Sequence, residues 1–163
     1  MNNTFRLLAA ALAFASVASV EAASTVNSNF TVSVNLSSRC VATNSGAGTL
    51  DFGTYTAFQG SAAAPAAPVT LTFDCTRGLA PVSVAFDTVN GSAAGVGVLA
   101  GLQYALSTSA ATTVAGIAAS TTSIGSADAV SYSVNGSMPA NQAGTCGTAT
   151  CAASHTRTLI VTY

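Results

Sequence analysis

The chain contains no tryptophan and no lysine, and it has a single histidine. Charge of either sign is scarce. Four arginines (Arg6, Arg39, Arg77, Arg157) oppose five acids, for a net charge of −1 and 6% charged residues, where roughly 25% is usual. Without a basic patch there is nothing to neutralise phosphates, so nucleic acid is a poor candidate partner. His155 has no adjacent Ser or Cys nucleophile motif, so a catalytic triad is not expected and His155 reads as a polar strand-start residue. Asp51, Asp74, Asp87, Asp128 and Glu21 form no close pair in sequence. The first three of these read as strand-end or turn caps. A structural zinc usually takes four Cys/His ligands, and a Cys-x4-Cys element with one histidine falls short of that. No metal, cofactor or enzymatic activity is expected. With so few charges, solubility must come from Ser, Thr, Asn and peptide groups, and the barrier to self-association is weak.

Long apolar runs are also missing after the start of the chain. Arg6, then LLAAALAFASVASV, then Val20-Glu21-Ala22 has the order of a signal peptide and its cleavage site. We expect residues 1–22 to be removed, and the remainder to be exported as one domain of ordinary size. Four cysteines in an exported chain read as two disulfides, for which sequence allows three connectivities. We favour Cys40–Cys75 with Cys146–Cys151, the second closing the tight loop CGTATC. The first closes a longer loop and, on loop entropy, contributes about 3–4 kcal/mol.

What is present in quantity is alternation. In residues 25–36, TVNSNFTVSVNL, the positions Val26, Phe30, Val32, Val34 and Leu36 share one parity. Asn27, Asn29, Thr31, Ser33 and Asn35 share the other, so a strand here has one oily and one wet face. Such a strand is unstable alone and needs a sheet with an empty slot. Further strands are expected at LDFGTYTAF, VTLTFDC, VSVAF, LAGLQYALS, AVSYSVNG and TRTLIVTY, with a short one around Val114 to Ile117. Leu50, Phe52 and Tyr55 should face inward around a bend at Gly53. Loops rich in Gly, Ser and Pro separate these runs. Short strands at regular spacing argue for an all-β Greek-key sandwich. Its last strand ends at Tyr163, where it is either an edge or needs a neighbour from elsewhere.

LDFGTY, VTLTFDC, LQYALS, YSVNGSMPANQAG and TLIVTY stand in the order and spacing of the spore coat protein U domain family. The chain thus resembles the pilin subunits of archaic, Csu-type chaperone–usher pili. The resemblance implies an incomplete immunoglobulin-like sandwich lacking its last strand, completed by donor-strand complementation. Residues 23–36 would be the donor segment and residues 37–163 the pilin domain. Val26, Phe30, Val32, Val34 and Leu36 would form the donor face, with Leu159, Val161 and Tyr163 lining the acceptor groove. Cys40 and Cys75 match the family disulfide, and Gly136, Pro139, Asn141 and Gln142 match the loop before the final strand. The implied partners are other pilin subunits, a periplasmic chaperone and an outer-membrane usher. The implied location is the periplasm and then a surface pilus, with a role in adhesion and biofilm formation. The chain departs from the family pattern in its CGTATC element, in His155 where Asp is usual, in Arg157 at an inward position, and in the missing Trp segment. The chief rival is a self-contained, secreted carbohydrate-binding sandwich, in which residues 25–36 pair within their own body. A small secreted hydrolase is a weaker one.

Overall fold

In a computed structural model, the residues described are 25–44, 48–89 and 93–163. The expected signal peptide, and parts of the NSGAG and VNGSAAGVG loops, lie outside them. The chain divides into two units, Met1–Asn35 and Leu36–Tyr163. In the first, the described residues form no strand, and Val26, Phe30, Val32 and Val34 are all exposed.

The second unit is all-β among its described residues. It contains β1 (Cys40–Ala42), β2 (Val69–Cys75), β3 (Ser83–Phe86), β4 (Val96–Leu99), β5 (Leu102–Thr108), β6 (Thr112–Val114), β7 (Asp128–Ser137) and β8 (Leu159–Thr162). No helix among the described residues is long and apolar enough to cross a membrane. Every pairing is antiparallel. One sheet runs β1-β2-β7-β5-β4, with β6 also on β7; the other holds only β3 and β8.

Alternation explains the central strand. In β7, Asp128, Val130, Tyr132 and Val134 are buried while the residues between them are half-buried. One edge of β7 pairs with β2 along residues 128–134; its other edge is shared between β6 and β5. The β4–β5 hairpin turns on Ala100 and Gly101, both at positive φ (47° and 72°), the geometry that matches the twist of paired strands. Val130, Tyr132 and Cys75 form the buried cluster, and Val84, Leu159 and Val161 from the second sheet pack onto it with Phe73 and Cys40. The result is a sandwich-like body with a curled antiparallel sheet. Both disulfides form as favoured, Cys40–Cys75 and Cys146–Cys151. The first joins residues directly opposite each other on β1 and β2.

Several expectations need correction. Residues 48–57 form no strand, although Leu50, Phe52 and Tyr55 are half-buried as expected. Asp51 accepts the Gly53 N–H at 2.8 Å, and Gly53 has φ +66°, so the segment bends instead of extending. Farther on, the Tyr55 hydroxyl donates to the Pro139 carbonyl and accepts the Gln142 N–H. Val82 lies outside β3 and is 80% exposed. The short strand expected around residues 114–117 instead spans Thr112–Val114.

Candidate functional site

Among the described residues, strand β8 has a single neighbour, β3. Its ladder to β3 includes flanking bonds from Val82 N to Thr162 O and from Asp87 N to Thr158 O. Among the described residues, the other edge of β8 has no strand beside it. Upstream of β8 the body is open, with a cavity of about 1140 Å³. Leu71, Phe86, Leu102, Leu106 and Met138 supply apolar walls, and residues 48–57 and 143–159 form its flanks.

The expected acceptor residues divide here. Leu159 lines the cavity and also touches the buried cluster. Val161 packs on that cluster, and Tyr163 is 48% exposed; neither borders the cavity. The open volume therefore lies from Leu159 back toward Gly144, on the upstream side of β8. Residues 149–158 run along it without strand pairing.

A charged brace stands at this space. Arg157 points inward, its side chain 9% exposed, and its Nε meets Asp87 Oδ1 at 2.6 Å. Its Nη1 donates to the Tyr104 hydroxyl (2.8 Å) and the Val96 carbonyl, and its Nη2 to the Asp87 carbonyl. Thr158 N donates to Asp87 Oδ2, so one carboxylate holds both the guanidinium and the backbone leading into β8. The Tyr104 ring lies across Gly97, where an added Cβ would meet the hydroxyl. That small residue lets the hydroxyl reach both Arg157 and His155 Nδ1, the latter at 3.2 Å. Since Arg157 donates to the phenol oxygen, the phenol proton is available to a neutral His155 Nδ1.

Desolvation pushes the Asp87 carboxyl up. The bonds from Arg157 and Thr158, with the Arg157 charge, outweigh it and leave Asp87 below its usual 3.8. Desolvation likewise opposes the Arg157 charge, yet bonds to Tyr104 and Asp87 raise its pKa overall. The turn-cap reading of Asp87 is thus replaced by an ion-pair role. His155 lies four residues upstream of β8, half-buried against Tyr104, and not at the strand start. The inward parity of Arg157 was the only signal in sequence for this brace; its partner is 70 residues away.

Asp128 organises the opposite loops. Backbone N–H groups of Gly78 (2.8 Å) and Gly116 (2.7 Å) converge on its carboxylate, and these bonds hold it below its usual value. Among the described residues, no three His, Cys, Asp or Glu side chains stand together as metal ligands would. No family model, curated protein or solved structure matches this chain.

Proposed function

We propose that the chain is a structural pilin subunit, not an enzyme, whose copies join when the segment 25–36 of one enters the body of the next. One pair of observations carries the reading: residues 25–36 form no strand, and among the described residues β8 has a strand on one edge alone. Val26, Phe30, Val32, Val34 and Leu36 are between 78% and 93% exposed, an unusual state for five apolar residues on one parity. The body offers a β8 edge with no strand beside it among the described residues and, upstream of β8 from Leu159 back toward Gly144, an open cavity with apolar walls. On this reading β1-β2-β7-β5 of the larger sheet, which also holds β4 and β6, and the pair β3-β8 would stand for strands A-B-E-D and C-F of an immunoglobulin-like sandwich, the donor segment supplying strand G.

Strand addition forms a ladder of main-chain hydrogen bonds and seats alternate side chains in pockets. Each apolar side chain buried contributes about 1.5–3 kcal/mol before the cost of ordering the segment. Head-to-tail donation does not close on itself and so builds a filament. A chaperone strand in the same groove would protect the subunit in the periplasm, and exchange at an outer-membrane usher would extend a surface pilus with an adhesive, biofilm-forming role. Two disulfides accord with export.

The test is an unboiled detergent gel of the purified mature chain. Ladders that collapse to monomer on boiling are expected, and deleting residues 25–35 should abolish them. A monomer in every case, with a melting temperature unmoved by the deletion, would favour the self-contained carbohydrate-binding sandwich.

A further inference from the structure

The donor parity contains one polar residue among its apolar ones, Ser28, between Val26 and Phe30. Along the inward parity of residues 149–161 the polar side chains are His155 and Arg157, both tied to Tyr104. Resting on the strand-exchange reading above, we propose that Ser28 of the incoming copy sits over Arg157 and so fixes the register and direction of the joint.

Arg157 carries five N–H groups. Four are directed at Asp87 Oδ1, the Val96 carbonyl, the Tyr104 hydroxyl and the Asp87 carbonyl. One Nη2 proton remains on a side chain that is 9% exposed. Water can serve this group while the groove is open. A strand laid over it removes that water, so the residue above it must supply a hydrogen-bonding group or leave a buried cation short of one. A serine hydroxyl both donates and accepts, and it is small enough to lie over a guanidinium. Sliding the strand by one inward position in either direction would place Val26 or Phe30 there.

Direction follows from where the empty volume lies. Phe30, Val32, Val34 and Leu36 all come after Ser28. The open space runs upstream from Arg157 along residues 149–156, whereas Val161, downstream, already packs on the Cys75–Val130–Tyr132 cluster. The larger side chains fill the cavity only if the donor runs antiparallel to β8. Ser28 then lies opposite Arg157, Val26 opposite Leu159 and Phe30 opposite His155. On the outward parity, Asn29 falls opposite Thr156, and directly opposed residues of an antiparallel pair have Cβ atoms close enough for cross-linking.

The experiment compares three full-length double variants processed to the mature chain: Asn29→Cys, Asn27→Cys or Thr31→Cys, each combined with Thr156→Cys. Cross-linked ladders that survive boiling without reductant are expected for the Asn29 pair and not for the other two. In parallel, Ser28→Val filaments should dissociate in hot detergent about ten- to a hundredfold faster than the parent, the cost of one unmade bond to a charged group. Ser28→Thr, which keeps the hydroxyl, should match the parent. Preferential cross-linking through position 27 or 31, or a Ser28→Val filament as durable as the parent, overturns the register while leaving strand exchange standing. Absence of ladders from the unsubstituted chain overturns both.

Discussion

The two halves of the body start from the same pattern and end differently. Around Cys75, Val130 and Tyr132, alternating apolar residues meet Val84 and Val161 from the facing sheet, and the space is closed. Around Leu71, Leu106 and Met138 the inner face of the large sheet is equally apolar, yet it faces a cavity of about 1140 Å³. The difference is whether a strand of the second sheet lies opposite. Among the described residues that sheet has two strands against six in the first, and only Cys75, Tyr104, Val130, Tyr132, Val134 and Met138 are buried apolar residues. Alternation thus marks which residues are prepared for burial; beside the cavity Leu71 and Leu106 stay half-buried, although Tyr104, Val134 and Met138 there are already covered.

Substitutions should separate the halves. In the closed half, Tyr132→Ala is expected to cost about 3–5 kcal/mol in denaturant unfolding of the monomer, the range for emptying a large core site. Replacing both Cys40 and Cys75 with alanine should cost about 3–4 kcal/mol, and the same change at Cys146 and Cys151 about 2 kcal/mol, since the second loop is short. At the boundary, Asp87→Ala should cost about 3 kcal/mol by leaving Arg157 without its carboxylate. The paired change Asp87→Leu with Arg157→Met should recover much of that loss. In the open half, Phe52→Ala should cost under about 1 kcal/mol in the monomer, because its ring is only half-buried there. The same change should visibly lower the temperature at which ladders collapse. Equal losses at Tyr132 and Phe52 in the monomer would erase the distinction between the halves.

The smallest effects expected are those of pH. Asp87 and Asp128 lie below their ordinary 3.8 when folded. Their contribution is therefore present above about pH 4 and lost as pH falls through the lower folded values. Burial raises Tyr132 above its ordinary 10.0, so its contribution is present below that value and lost as pH rises through the folded one. Melting temperature against pH should show a plateau with both shoulders, and Asp128→Asn should flatten the acid one.

Strands with strong alternation were legible in the sequence even where their partners are distant, as in β2 with β7 and β3 with β8: β2, β5, β7 and β8 all fall where the pattern places them. Residues 48–57 carry a strand pattern yet form none, because side chains intercept the backbone. Asp51 caps Gly53, and Tyr55 is tied to Pro139 and Gln142, more than 80 residues away. The Arg157–Asp87 pair was hidden for the same reason, since nothing local announces a partner 70 residues distant. Residues 25–36 teach the converse. Their alternation is as clean as that of β7, but a strand also needs a neighbour, and pattern cannot supply one.

Amide hydrogen exchange across residues 25–36, compared between isolated monomer and filament, tests the central claim most directly. Fast exchange in the monomer and strong protection in the filament, accompanied by new protection along residues 149–158, is the expected result. Strong protection of residues 25–36 in a dilute, clean monomer would contradict it.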